Sequence, residues 1–125
     1  MTSITNKEQF DGLLRAEQAI LFTFFDWSGQ AHQSLRVFEE WEREWRALHS
    51  VAPVSFYRLD PDSYKESWDW LVEQARGSDG MEGGYGSVTW VQRGKSVGFI
   101  RYAAKAGKDT LSHLTNDYFG SIIAV

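Results

Sequence analysis

From Ala19 to Asp26 the chain runs almost without interruption through apolar residues and stops at a carboxylate. A strand with one wet face alternates apolar and polar side chains. A run without alternation needs cover on both faces, as a central strand between two helical layers has. The residues that follow change period. From Gln30 to His49, the positions Leu35, Phe38, Trp41 or Glu42, Trp45 and Leu48 recur at helical spacing. Arg36, Glu39, Glu40, Arg43 and Glu44 supply the opposite, wet face. A doubly covered strand feeding a long amphipathic helix restricts the chain to layered α/β architectures.

The rest of the sequence alternates in the same way. Asn6 is placed to cap a first helix over about Lys7 to Ala16, with Phe10, Leu13 and Leu14 on one face. Pro53 precedes a strand, Val54 to Leu59, and Asp60-Pro61-Asp62 begins the next turn. Asp62 is the expected cap of a helix from about Ser63 to Arg76, with Tyr64, Trp68, Leu71 and Ala75 inward. Gly77 to Gly86 carries five glycines in ten residues and reads as a flexible connection. Two strands, Ser87 to Gln92 and Ser96 to Tyr102, are joined by Arg93-Gly94-Lys95 as a hairpin. Asp109 is then expected to cap a last helix with Leu111, Leu114, Tyr118 and Phe119 inward, and a short strand is expected near Ser3 to Thr5. Strands linked by helices pair in parallel, whereas the hairpin adds an antiparallel pair. The expectation is one α/β domain over residues 1–125, a mixed sheet of four to five strands with helices on both faces.

Composition bounds the function. A chain of 125 residues buries a core without disulfides or metal, and it contains no cysteine. The net charge of −4 opposes non-specific attraction to nucleic acid or anionic lipid, so neither is expected as a partner. No apolar stretch approaches the ~20 residues of a bilayer span, and Met1 to Glu8 lacks the regions of a secretory signal. The expected location is cytoplasmic. Aromatic residues reach 15%, six of them Trp, which implies a ring-rich core or interaction surface.

Two segments are more specific. Trp27-Ser28-Gly29-Gln30-Ala31, at the junction of strand and helix, resembles the Trp-Cys-Gly-Pro-Cys segment of thioredoxin-like proteins. Gly86-Ser87-Val88-Thr89, running on through Trp90 to Lys95, is similar to that family's Gly-x-Pro-Thr strand and Gly-turn hairpin. The resemblance implies a thioredoxin-like three-layer sandwich and denies its usual chemistry. Ser28 and Ala31 occupy both cysteine positions, and Val88 falls where the family keeps a cis-proline. Phe22 falls where many thioredoxins bury an acid. A non-proline cis bond costs ~2.5–4 kcal/mol, so Ser87–Val88 is expected to be trans. Thiol–disulfide exchange needs a thiolate, and this chain has none to supply.

Ser28 stands where helix N–H groups favour an anion, with His32 one turn later and Asp26 just before it. An enzyme acting on an anionic or acyl substrate can be drawn from Ser28 and His32. The simpler reading makes Ser28 a helix cap, accepting from Ala31 or a neighbour. A helical residue four positions on need not reach that hydroxyl, and no Gly-x-Ser-x-Gly elbow surrounds it. His49 is expected at helix carbonyls, and His32, His49 and His113 lack metal-site spacing. Glu39-Glu40 reads as a solvated face, and the glycine segment lacks the spacing of a phosphate loop. No catalytic residue, metal or cofactor is expected. Trp70 should project from a polar helix face as an interface aromatic, and Trp27 should be partly exposed. The expected function is a redox-inactive protein-interaction or scaffold module, binding a protein partner or self-associating. Its surface comprises Trp27, Ser28, Gly29, Gln30, Ala31, His32, Ser87 and Val88, with the Ser87 backbone available to an extended segment.

Overall fold

The computed structural model describes residues 1–75 and 84–120. Within them the order is β1 (Thr2–Ser3), α1 (Lys7–Arg15), β2 (Gln18–Thr23), α2 (Gly29–Leu48), β3 (Val54–Leu59), α3 (Lys65–Gln74), β4 (Ser87–Gln92), β5 (Lys95–Ile100) and α4 (Ala103–Phe119). The strands form one sheet in the order β1-β3-β2-β4-β5. The apolar run thus supplies the middle strand. β2 pairs with β3 in parallel, Gln18 opposite Val54 through Thr23 opposite Leu59, and with β4 in antiparallel register, Gln18 opposite Gln92. Arg93 (φ 51°) and Gly94 (φ 80°) turn the β4–β5 hairpin, both in the left-handed region that a two-residue loop of the correct twist requires.

Two cores flank the sheet. On one face Ile20, Phe22, Val88 and Trp90 meet α2 and α4 through Ala31, Phe38, Trp41, Leu111 and Phe119. On the other Ala19, Leu21 and Val91 meet Leu13 of α1 and Leu71 of α3. The architecture is a three-layer sandwich. Its larger core is a chain of rings, with Phe22 5.1 Å from Phe38 and Phe38 5.6 Å from Trp41. Each large ring buried contributes on the order of 1.5–3 kcal/mol. Trp90 donates its indole N–H to Thr115 Oγ1 (3.0 Å) and Trp41 to Ser112 Oγ (2.9 Å), so these rings are buried without losing their hydrogen bonds.

Several expectations are corrected. Leu48 is 80% exposed, and the side chain packed on Trp45 at the end of α2 is His49, stacked at 4.4 Å with its Nδ1 2.9 Å from the Trp45 carbonyl. Both Trp41 and Glu42 are buried, Glu42 with Arg46 Nε at 3.0 Å. Asp62 does not cap α3. The Asp60 carbonyl accepts the Ser63 N–H (3.0 Å), and Tyr64 holds the cap position without a side-chain capping bond. The last helix starts at Ala103, six residues before Asp109, and breaks at Gly107 (φ 83°, ψ 168°). Trp70 is partly buried, its ring edge-on to Phe10 at 6.0 Å, where it joins α3 to α1. The first strand lies at Thr2–Ser3. Arg76 and the glycine segment from Gly77 to Gly83 lie outside the described residues.

Candidate functional site

Two parallel neighbours, β2 and β3, end side by side, and the turns leaving their C-terminal ends meet above the sheet. Open α/β sheets place their sites at such ends. Phe24 and Phe25 continue buried beyond β2, while Asp26 and Trp27 are exposed, Trp27 at 72%. Phe24 to Trp27 on one side and Asp60 to Ser63 on the other enclose a cleft of about 300 Å³.

Ser28 caps α2. Its Oγ accepts the Ala31 N–H at 3.2 Å and lies 3.2 Å from Gln30 Oε1, to which it donates its proton. The residue is 4% exposed, and its proton and one of its two lone pairs are engaged locally. His32 turns elsewhere, with Nε2 2.9 Å from the Asp26 carbonyl oxygen, to which it donates, and its ring edge-on to Phe24 at 4.9 Å. Asp26 meets His32 through its backbone, not its carboxylate. No Ser–His–Asp relay forms.

The expected surface divides by burial. Trp27, Gly29, Gln30 and His32 are exposed, whereas Ser28, Ala31, Ser87 and Val88 are buried. Val88 sits mid-sheet between Phe22 and Ile100, and Ser87 pairs with Thr23. No described peptide bond is cis, so Ser87–Val88 is trans. The hydroxyls of Thr23, Ser87 and Thr89 are buried without hydrogen-bond partners. Ser87 pairs with Thr23 of β2, and β5 pairs with β4 only from Val88 onward. The backbone against the Trp27 ring is that of Gly84, which leads through Tyr85 and Gly86 into β4. A Cβ on Gly84 (φ 58°) would stand 2.8 Å from the indole, so the missing side chain lets Trp27 lie against the backbone. Phe25 supports the same ring at 6.0 Å.

Ser34, which sequence patterning passed over, holds this strap. Its Oγ donates to the Tyr85 carbonyl (2.7 Å) and accepts the Ala104 N–H (3.0 Å), tying α2 to the strap and to the start of α4. The Gly86 carbonyl accepts the Ala103 N–H (3.0 Å), and Tyr85 stacks on Tyr102 at 5.0 Å. Across the cleft, Arg58 makes a two-pronged bond to Asp60 (2.7 and 3.0 Å) with its guanidinium 4.5 Å from the Phe24 ring. The hydrogen bond to Asp60 holds the Arg58 guanidinium above its ordinary pKa, against desolvation. Among the described residues no group of three or more His, Asp or Glu can hold a metal ion, and no helix is long and apolar enough to cross a membrane.

A mixed sheet between paired helical layers, with a capped helix leaving the middle strand beside an exposed tryptophan, defines a thioredoxin fold. Solved thioredoxins superpose on 94% of the chain. That of Plasmodium falciparum is 19% identical, covering 94% of this chain and 99% of its own, with a TM-score of 0.64. Those of Malassezia sympodialis and Trypanosoma brucei brucei are 15% and 18% identical, each over 94% of this chain and 90% and 92% of their own, with TM-scores of 0.65 and 0.64. No protein-family model matches the sequence, and no curated protein does. The chain has the thioredoxin fold without a cysteine, and its own residues offer no thiolate for disulfide exchange.

Proposed function

We propose that this protein is a redox-inactive protein-interaction or scaffold module that binds a protein, or a second copy of itself, at the surface around Trp27. The observation that carries this reading is Trp27 itself, 72% exposed yet fixed against Phe25 and Gly84 at the rim of a cleft. A large ring held in one place loses little entropy on contact, which is why exposed tryptophans anchor interfaces. Gln30 and His32 extend the surface along the first turn of α2. The net charge of −4 favours a protein partner over nucleic acid.

The test is affinity capture from native extract with wild type and Trp27→Ala. Removing an exposed ring leaves both cores untouched, so the variant should keep the wild-type circular dichroism spectrum. A partner retained by wild type and lost by Trp27→Ala supports the reading. Equal retention by both proteins removes this surface from consideration.

A further inference from the structure

We infer that the cleft beside Trp27 receives the cationic side chain, arginine or lysine, of an extended basic segment of a partner protein. The inference rests on the protein-binding reading above and names the chemistry of what binds. Three carboxylates border the cleft, those of Asp26, Asp60 and Asp62. Asp60 is occupied by Arg58. Among the described residues no cation pairs with Asp26 or Asp62, and both are exposed. One concavity therefore combines two carboxylates that have no cationic partner among the described residues with the accessible indole of Trp27.

Each part of a long cationic side chain has a counterpart there. The charged head meets Asp26 or Asp62 and the π face of Trp27, which attracts a cation through the ring quadrupole. The methylene stem meets the apolar walls at Phe24 and Phe25. Arg58 already makes this arrangement within the fold, its guanidinium over Phe24 and bonded to Asp60. At about 300 Å³ the cleft stands at the small end of ligand-sized concavities, so it takes a side chain and not a helix. An acidic or phosphorylated segment would meet two like charges, and the net charge of −4 repels it from a distance.

The probe is the blocked peptide acetyl-Gly-Ser-Arg-Ser-Arg-Gly-amide, titrated into ¹⁵N-labelled protein, with a glutamate-for-arginine peptide as control. The expected result is shifts at the Trp27 indole N–H and at the amides of Asp26, Asp62 and Ser63 with the basic peptide only. In Asp26→Asn/Asp62→Asn, whose exposed amides preserve size and fold, its affinity should fall about three- to tenfold, and added salt should weaken the wild-type complex. Unmoved cleft resonances, equal affinity in the double variant, or equal binding of the glutamate peptide would each overturn the inference. An extract partner lost by Trp27→Ala but kept at full strength by the double variant overturns it too, while leaving the protein-binding reading intact. A partner kept by Trp27→Ala overturns both.

Discussion

Replacing Ser34 with alanine should cost more stability than replacing Ser28, although Ser28 occupies the more conspicuous position. Ser34 is buried in α2 and serves two other segments, donating to the Tyr85 carbonyl and accepting the Ala104 N–H. Tyr102, at the cap position of α4, makes no side-chain bond, so Ser34 supplies that cap from a different helix. Losing a cap costs ~1 kcal/mol and losing the bond to the Tyr85 carbonyl about another 1 kcal/mol. For a chain of 125 residues the unfolding entropy is roughly 0.26 kcal/mol/K, so a loss of about 2 kcal/mol lowers Tm by about 8 °C. Ser28→Ala removes the accepted bond of 3.2 Å and a donated bond to the side chain of exposed Gln30, which water replaces, so it should cost only the cap, ~1 kcal/mol or about 4 °C. Urea unfolding followed by circular dichroism gives both values, and hydrogen exchange reads the Ala104 amide directly. A Ser34→Ala cost no larger than that of Ser28→Ala, or unchanged protection of Ala104, would refute the assignment of Ser34 as the tie.

Gly86→Ala should be more damaging still. Its φ of 92° disfavours any side chain, and the new Cβ would stand 2.5 Å from Ser34 Cβ, so a cost of about 2–5 kcal/mol is expected from urea midpoints; a value under ~1 kcal/mol would contradict the packing. The link between α2 and α4 through Lys108 should depend on pH. Lys108 Nζ bonds Glu40 (2.8 Å) and Glu44 (3.0 Å), and its hydrogen bond holds the Glu40 carboxyl below its ordinary pKa while the two carboxylates hold Lys108 above its own. A depressed carboxyl stabilises above its unfolded pKa and loses that contribution as pH falls through the folded one. The raised lysine keeps its contribution until the pH rises through its own folded pKa. Lys108→Met should therefore lower the urea midpoint at about pH 7, with the difference from wild type shrinking toward about pH 2.5; an equal difference at both would exclude the ion pair as its source.

What the sequence revealed and what it concealed divide along a physical line. Strands β3 and β4 fall on their expected residues because apolar runs and flanking turns are local signals. The Ser28 cap was legible for the same reason, since a hydroxyl just before a helix reaches an N–H three residues on. Other features required knowing what lies across space. Asp109 looks like a cap, but α4 starts six residues earlier because Ser34, seventy residues away in the chain, satisfies Ala104. Trp70 has polar neighbours along its own helix, yet Phe10 of α1 covers it. The sheet register puts Val88 opposite Phe22, and the contact of Gly84 with the Trp27 ring joins residues far apart in the chain that no local pattern links. The Asp60 to Ser63 wall had a usable signal: a parallel strand beside β2 must deliver its own C-terminal turn to the same rim.

On the proposed reading, that rim suits binding better than group transfer. The groups that a hydrolytic or redox site would need free are committed to holding the turn together. The Ser28 hydroxyl serves Ala31 and Gln30, the His32 Nε2 serves the Asp26 carbonyl, and Ser34 serves the strap. These internal bonds fix the backbone that presents Asp26 and Trp27, and the Ser63 N–H, donated to the Asp60 carbonyl, closes the turn that carries Asp62. Their fixed placement matters more for recognition than for reactivity, because an indole and two carboxylates already in place surrender little freedom when a partner arrives. A thioredoxin fold uses the free N–H groups at the start of this helix to stabilise a thiolate when cysteine stands there. Here the helix caps itself with Ser28, and the negative charge sits outside, on Asp26 and Asp62. On the inference drawn above, the polarity of the site would be reversed, from a helix end that welcomes an anion to a rim that welcomes a cation.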